Sequence, residues 1–243
     1  KLLSPSENDE WERIKLRFLK VCTAGKLNNV KILIDAEESW IQDAVDDLIL
    51  ELMQTYNTDT LIVYSTLQTY RWDRLEYLKK IHAKAKALNF KLGFKIVRGA
   101  YMEKERQRAK DLGYKSPICE SKALTDALFD ATVTYIFSNL DSIHVFIGTH
   151  NEESTHLAIK LMEESKISSM DSRVWFGQLY GMSDHISFNL ANKGYNVAKY
   201  LPFGPVKDVM PYLIRRAEEN TSVAGQTSRE LSLIKKEKKR RNA

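Results

Sequence analysis

A chain of 243 residues is long enough to bury one large core, as a single α/β barrel or as two small domains. Its 43% hydrophobic and 28% charged residues match an ordinary soluble protein, and no apolar run approaches the roughly 20 residues that cross a bilayer. The net charge of +5 comes from one segment, since Lys235 to Arg241 holds six basic residues against one acid; the near-neutral remainder argues against a nucleic-acid-binding face.

The N-terminus is polar and lacks the apolar stretch of a signal peptide. Cys22 and Cys119 are isolated, which argues against a disulfide framework or a zinc site. The five histidines show no metal-ligand spacing, so no structural metal is expected.

The first helix is expected over Glu10 to Ala24, capped by Ser6 or Asp9, with Trp11, Ile14, Phe18 and Val21 at helical spacing. Val30 to Ile34 is β-rich and ends in Asp35-Ala36-Glu37-Glu38. A helix over Ile41 to Tyr56 leads to a strand at Leu61 to Tyr64, followed by Ser65-Thr66-Leu67-Gln68 and a helix over Asp73 to Leu88. Leu92 to Arg98 is a strand running into Gly99-Ala100-Tyr101, with helices over Glu103 to Asp111 and Lys122 to Asn139 behind it. Strand His144 to Gly148 gives way to Thr149-His150-Asn151 and a helix over Glu152 to Ser165. Arg173 to Gln178 is a strand, Asp184 to Lys193 a helix stopped by Gly194, and Val197 to Leu201 the last strand. Asp208 to Asn220 is helical, and from Ser222 the chain is a helical or frayed polar tail. The expected divisions are a loop and helix at 1–29, a barrel at 30–221 and a basic tail at 222–243. The tail reads as a solvated end or as a segment attracted to anionic lipid.

Regular alternation of six strands with helices argues for a parallel sheet with crossover connections. An open doubly wound sheet would carry a glycine-rich phosphate loop, and the sequence has none. A closed barrel places function at the C-terminal ends of many strands, where the polar groups lie here. A barrel has eight strands, so this chain is short by about two, and the simplest expectation puts them upstream.

Each strand end alone suits a helix cap or a turn. Together they suggest one rim. Lys95 and Arg98 beside Gly99 and Ala100 suit a large, planar, anionic ligand that the backbone approaches closely. No nucleophile elbow, Cys–His pair or metal set is visible, so the chemistry points to an organic cofactor. On the helix from Asp208, Tyr212, Arg215, Arg216 and Glu219 form one stripe beside the apolar Met210, Leu213, Ile214 and Ala217. That stripe is either a solvated face or a lid whose arginines clamp a carboxylate.

The stretches Ile34-Asp35-Ala36-Glu37, Lys95-Ile96-Val97-Arg98-Gly99-Ala100-Tyr101, Thr149-His150-Asn151, Gln178-Leu179-Tyr180-Gly181-Met182, Lys199-Tyr200-Leu201-Pro202-Phe203-Gly204 and Tyr212-Leu213-Ile214-Arg215-Arg216 with Glu219-Asn220 resemble, in order, the motifs of the proline dehydrogenase family. Around Tyr101 to Arg108 the chain looks most like the eukaryotic, mitochondrial branch. The resemblance implies a distorted (βα)8 barrel, with strands missing from the N-terminal side and the Tyr212 helix across its mouth. It implies FAD as cofactor and oxidation of L-proline to Δ1-pyrroline-5-carboxylate, the first step of proline catabolism. Electrons would pass to a quinone, at the matrix side of the inner mitochondrial membrane.

The resemblance also implies roles. Arg215 and Arg216 would bind the substrate carboxylate, and Leu179, Tyr200 and Tyr212 would pack on its ring. Asp35 and Lys95 would be the catalytic pair. Ala36, Lys95, Val97, Arg98, Gly99, Ala100, Thr149, His150, Asn151, Gln178 and Glu219 would hold the cofactor.

Three departures stand out. Bacterial members have arginine where Lys95 stands. Ser65 stands where many members contact the flavin with Gln or Asn. Lys1-Leu2 echoes the Lys-Leu motif of the family's first strand but equally fits a loop leading into a helix. Relatives acting on hydroxyproline carry serine at the Tyr200 position, so tyrosine favours proline. The competing expectations are a hydroxyproline dehydrogenase, a flavin-free barrel lyase using Lys95 as a Schiff-base amine, and a binding protein without catalysis.

Overall fold

The computed structural model describes residues 4–222 and 224–241, with the side chains of 215–230, 233 and 234 outside the description. Lys1 lies outside the described residues. The chain opens with α1 (Pro5–Leu27). It starts earlier than its apolar spacing suggests, because Ser4 and Glu7 close a capping box around Pro5: the Ser4 amide donates to Glu7 Oε2 at 2.7 Å and the Glu7 amide to Ser4 Oγ at 3.3 Å. Ser6 and Asp9 are therefore inside the helix. Cys22 is buried in the main core, and Trp11 and Phe18 pack against it, so α1 shares the core of the strands that follow.

Strand and helix then alternate: β1 (Ile32–Leu33), α2 (Ser39–Tyr56), β2 (Val63–Gln68), α3 (Arg74–Leu88), β3 (Leu92–Val97), α4 (Met102–Leu112), α5 (Lys122–Phe137), β4 (Ile143–Gly148), α6 (Glu152–Glu164), β5 (Val174–Leu179), α7 (Asp184–Asn192), β6 (Val197–Tyr200), α8 (Val206–Ser222) and α9 (Ala224–Arg241). The strands form one six-stranded sheet in sequence order, and every pairing is parallel. A doubly wound sheet reverses strand order at a switch point; this sheet has no reversal. It curls instead. Lys31, just before β1, reaches across to β5: its Nζ donates to the Ser172 carbonyl at 3.1 Å and sits 5.0 Å over the Trp175 ring. The result is a large part of a barrel with helices outside.

Side chains alternate across the strands. Leu92, Phe94, Ile96, Ile143, Val145, Ile147, Val174 and Phe176 are essentially inaccessible and face the helices. The other set faces the concave side. Its lower part is filled by rings. A Cβ on Gly93 would come within 2.8 Å of Tyr64, and one on Gly177 within 2.1 Å of Phe146. His144 lies in this lower layer; burial, with the charges of Lys91, Lys31 and Arg173, lowers its imidazole pKa to about 4. It is neutral at pH 7.

Two side chains fix element ends that the sequence leaves open. Glu105 on α4 is fully buried and caps α2 from outside, accepting from the Ser39 amide and the Ser39 hydroxyl at 2.6 Å each. Asn57, also fully buried, ties the end of α2 to two strand bases. Its amide nitrogen donates to the Val63 and Lys91 carbonyls, and its amide oxygen accepts from the Ile62 and Val63 amides.

Asn57→Ala removes all four bonds and leaves buried backbone groups unpaired, so it is expected to destabilise the protein by about 3 kcal/mol. Urea unfolding measures this, and a loss well under about 1 kcal/mol contradicts the clamp.

Candidate active site

The upper part of the concave face is where the strand ends converge. Asp35 directly follows β1, and Lys95 points in from β3. Their side chains form an ion pair that passes over β2 at Thr66, the register partner of Lys95. Thr66 is short enough to lie beneath it, and its hydroxyl donates to the Ile34 carbonyl at 2.8 Å. Lys95 is mostly covered, while Asp35 is more than half exposed. The pair places an ammonium and its carboxylate partner together over β2.

Val97 and Gly148 face the same side, and a Cβ on Gly148 would press within 2.9 Å of Val97 Cγ1. Gly99 and Ala100 lie exposed just beyond β3. Gly99 has φ +136°, and a side chain there would collide with the Tyr70 ring at 2.5 Å. The Tyr101 hydroxyl donates to Glu37, tying the loop after β3 to the loop after β1. Ala36, between Asp35 and Glu37, is partly covered.

β2 is longer than the expected Leu61 to Tyr64 and carries polar groups the sequence reading placed after it. Ser65 pairs in register with Phe94 and turns toward the helices, so it is not a contact of the open face. Gln68, which the sequence reading did not single out, ends β2 on the concave side. Its Nε2 donates to the Glu37 carbonyl at 2.6 Å, and its Oε1 is buried with no partner. The available signal was alternation itself: Tyr64, Thr66 and Gln68 share one face.

The end of β4 is a built structure. Thr149 Oγ1 accepts from Arg98 Nη1 at 2.9 Å and from the Asn151 amide at 3.1 Å. Asn151 Oδ1 accepts from the Ser154 amide at 2.9 Å and caps α6. Gln178 is buried: its Nε2 donates to the Thr149 carbonyl at 3.2 Å, and its Oε1 accepts from Ser187 at 2.8 Å. Asn151 and Gln178, both expected at the cofactor, thus have their side chains bonded to α6, Thr149 and Ser187. His150 is partly exposed, with its Nδ1 2.9 Å from Ser183 Oγ.

On the far side, Leu179 and Tyr200 are register partners at the ends of β5 and β6. The Tyr200 ring meets the Tyr212 ring edge-on, with centroids 5.5 Å apart at 64°. This contact joins α8 to the end of β6. Arg215 and Arg216 lie three and four positions beyond Tyr212, on the same face of α8 by helical period. Their side chains, and that of Glu219, lie outside the described residues.

The Lys95–Asp35 pair and the Tyr200–Tyr212 contact thus lie at the same end of the sheet. The family model for proline dehydrogenase matches residues 4–229. This chain belongs to the proline dehydrogenase family. Over 244 residues, 98% of this chain, it is 37% identical to "Proline dehydrogenase 1, mitochondrial" of Caenorhabditis elegans. Over 239 residues it is 39% identical to the carbapenem antibiotics biosynthesis protein CarD of Pectobacterium carotovorum. The structure of proline utilization A from Bdellovibrio bacteriovorus superposes with a TM-score of 0.80 at 26% identity, over 89% of this chain. The chain spans 40% and 61% of the lengths of those two relatives and 22% of proline utilization A. Its half-barrel of six parallel strands corresponds to the family's distorted barrel.

Proline dehydrogenases are FAD-dependent, and the open face fits that group. Lys95 would offer the cation, Ala100 is small and exposed, and the unpartnered Gln68 Oε1 would offer an acceptor to a ring N–H.

Gly99→Ala is expected to cost at least about 1–3 kcal/mol, from the positive φ and the Tyr70 collision together. Gly113 has φ +70° and open space around its Cβ position, so Gly113→Ala should cost only about 1 kcal/mol. Thermal unfolding of both variants checks the difference, and equal losses contradict it.

Proposed function

We propose that this chain forms the catalytic part of an enzyme that oxidises L-proline to Δ1-pyrroline-5-carboxylate with FAD as cofactor. The observation that carries this is the convergence, at one end of a parallel sheet, of the Lys95–Asp35 pair and the Tyr200–Tyr212 contact. When bound, FAD would supply the acceptor for a hydride from proline C5, with a quinone as the final electron acceptor.

The chain's own residues have distinct tasks. Arg215 and Arg216 bind the proline carboxylate through guanidinium forks. Leu179, Tyr200 and Tyr212 enclose the ring and keep water from it. Lys95 would set its positive charge beside the cofactor ring, and Asp35 fixes the Lys95 ammonium. Gly99, Ala100, Ala36 and Val97 let the backbone approach the flat ring, and Thr149, His150, Arg98 and Glu219 hold its outlying parts.

The phenol of Tyr200 fills the space a ring hydroxyl would need, which favours proline over hydroxyproline. By analogy with its mitochondrial relatives, the enzyme works in mitochondria, on the matrix side of the inner membrane. The basic end of α9 suits peripheral contact there: Lys235, Lys236, Lys238 and Lys239 are exposed, while Glu237 pairs with Arg240 and Arg241.

Steady-state kinetics test the assignment. Arg216→Met should raise the KM for L-proline by about tenfold or more, the loss of a charge-assisted hydrogen bond, with little change in thermal midpoint. An unchanged KM, or a loss confined to stability, contradicts the lid. Tyr200→Ser should shift the ratio of turnover toward trans-4-hydroxyproline, and a wild-type preference for hydroxyproline overturns the specificity.

A further inference from the structure

Arg98 does not share the open face with Lys95 and Val97. Alternation along β3 turns its side chain the other way, over the rim and between the N-terminal halves of α5 and α6. There it is held on three nitrogens. Nε donates to Asp126 Oδ1 at 2.6 Å, Nη1 to Thr149 Oγ1 at 2.9 Å, and Nη2 to Ser154 Oγ at 3.0 Å. The guanidinium lies over the Phe129 ring, 4.5 Å from its centroid. The holders are themselves held: Lys122 donates to Asp126 Oδ2 at 2.5 Å, and Ser154 Oγ donates to Asp130 at 2.8 Å.

A guanidinium has five N–H donors, and three are used here. The two remaining sit one on each Nη, the arrangement that meets an anionic oxygen pair. The side chain is 23% exposed, so it is not sealed within the protein. Glu152 and Glu153 already occupy the first turn of α6, so the capacity for an anion at this point belongs to Arg98 and not to the helix dipole. The Asp126 carboxyl is held below its usual range: partial burial pushes it up, and hydrogen bonds from Lys122 and Arg98 outweigh that.

We propose that Asp126 is a positioning residue, which fixes the Arg98 fork for the phosphate-bearing end of the flavin nucleotide. This rests on the flavin assignment above and assigns to the outer rim a part of the ligand distinct from the ring. The ring belongs on the concave face with Lys95, and a nucleotide longer than its ring must leave that face. The rim between β3 and β4 offers it a fixed, charged fork. A lysine at position 98 would keep the charge and lose the fixed plane.

Wild type, Asp126→Ala and Asp126→Glu are stripped of flavin and titrated with FAD and with riboflavin, which carries no phosphate, following flavin fluorescence. Asp126→Ala should weaken FAD binding about tenfold, one charge-assisted hydrogen bond's worth, and leave riboflavin binding unchanged. Asp126→Glu should recover most of the loss. The thermal midpoint should move little, because a partly exposed ion pair contributes little stability. Should Asp126→Ala fail to fold, Asp126→Asn carries the same comparison. Unchanged FAD affinity, or equal losses for FAD and riboflavin, overturns the proposal. A wild type that binds neither flavin overturns the flavin assignment and this inference with it.

Discussion

Parallel pairing in strict sequence order is the constraint on which the rest of this structure depends. Each strand must return by a crossover before pairing with the next, so all six C-terminal ends fall on one rim. The chain can therefore collect Asp35, Gln68, Lys95, Thr149, Leu179 and Tyr200 from positions far apart in sequence. Period-two alternation then sorts them. Residues of one parity meet on the concave face, and those of the other support them from behind. Lys95 and Arg98, three positions apart, end on opposite sides for this reason alone.

The packing below the rim holds it in place. Tyr64, Phe146 and Trp175 fill the lower concave face, and Gly93 and Gly177 are the gaps that let two of those rings fit. Long-range polar ties set where elements begin and end: Glu105 starts α2, Asn57 joins α2 to β2 and β3, and Lys31 draws the base of β1 toward β5. Each is a buried or half-buried polar group with partners on another element, so its loss leaves those partners unsatisfied as well.

Much of this was legible in the sequence because apolar runs and glycine or polar breaks mark strands and helices directly. The six strands and their alternation with helices follow from that pattern, and with it the rim. Boundaries were less legible. β2 runs on through Thr66 and Gln68, polar residues that look like a loop until a partner strand supplies their hydrogen bonds. The start of α1 at Pro5 was set by a local capping box that apolar spacing cannot see. Side-chain direction at a strand end was the least legible. Asn151 and Gln178 carry groups suited to a ligand, yet the first caps α6 and the second is bonded at both ends of its amide. Gln68, with one end of its amide free, is the better placed of the glutamines. Only the register, a property of two strands together, separates these cases. Cap Glu105 was hidden for a similar reason, since its partner Ser39 lies 66 residues away.

The open face around Lys95 and the Tyr200–Tyr212 contact are proposed to bring a flavin and a proline together. Anaerobic addition of L-proline to the purified, flavin-loaded protein, followed at the oxidised-flavin absorption band, tests it most directly. The band should be lost as proline is added and should recover on adding a soluble quinone. A protein that binds flavin and keeps its band unchanged at saturating proline would contradict it.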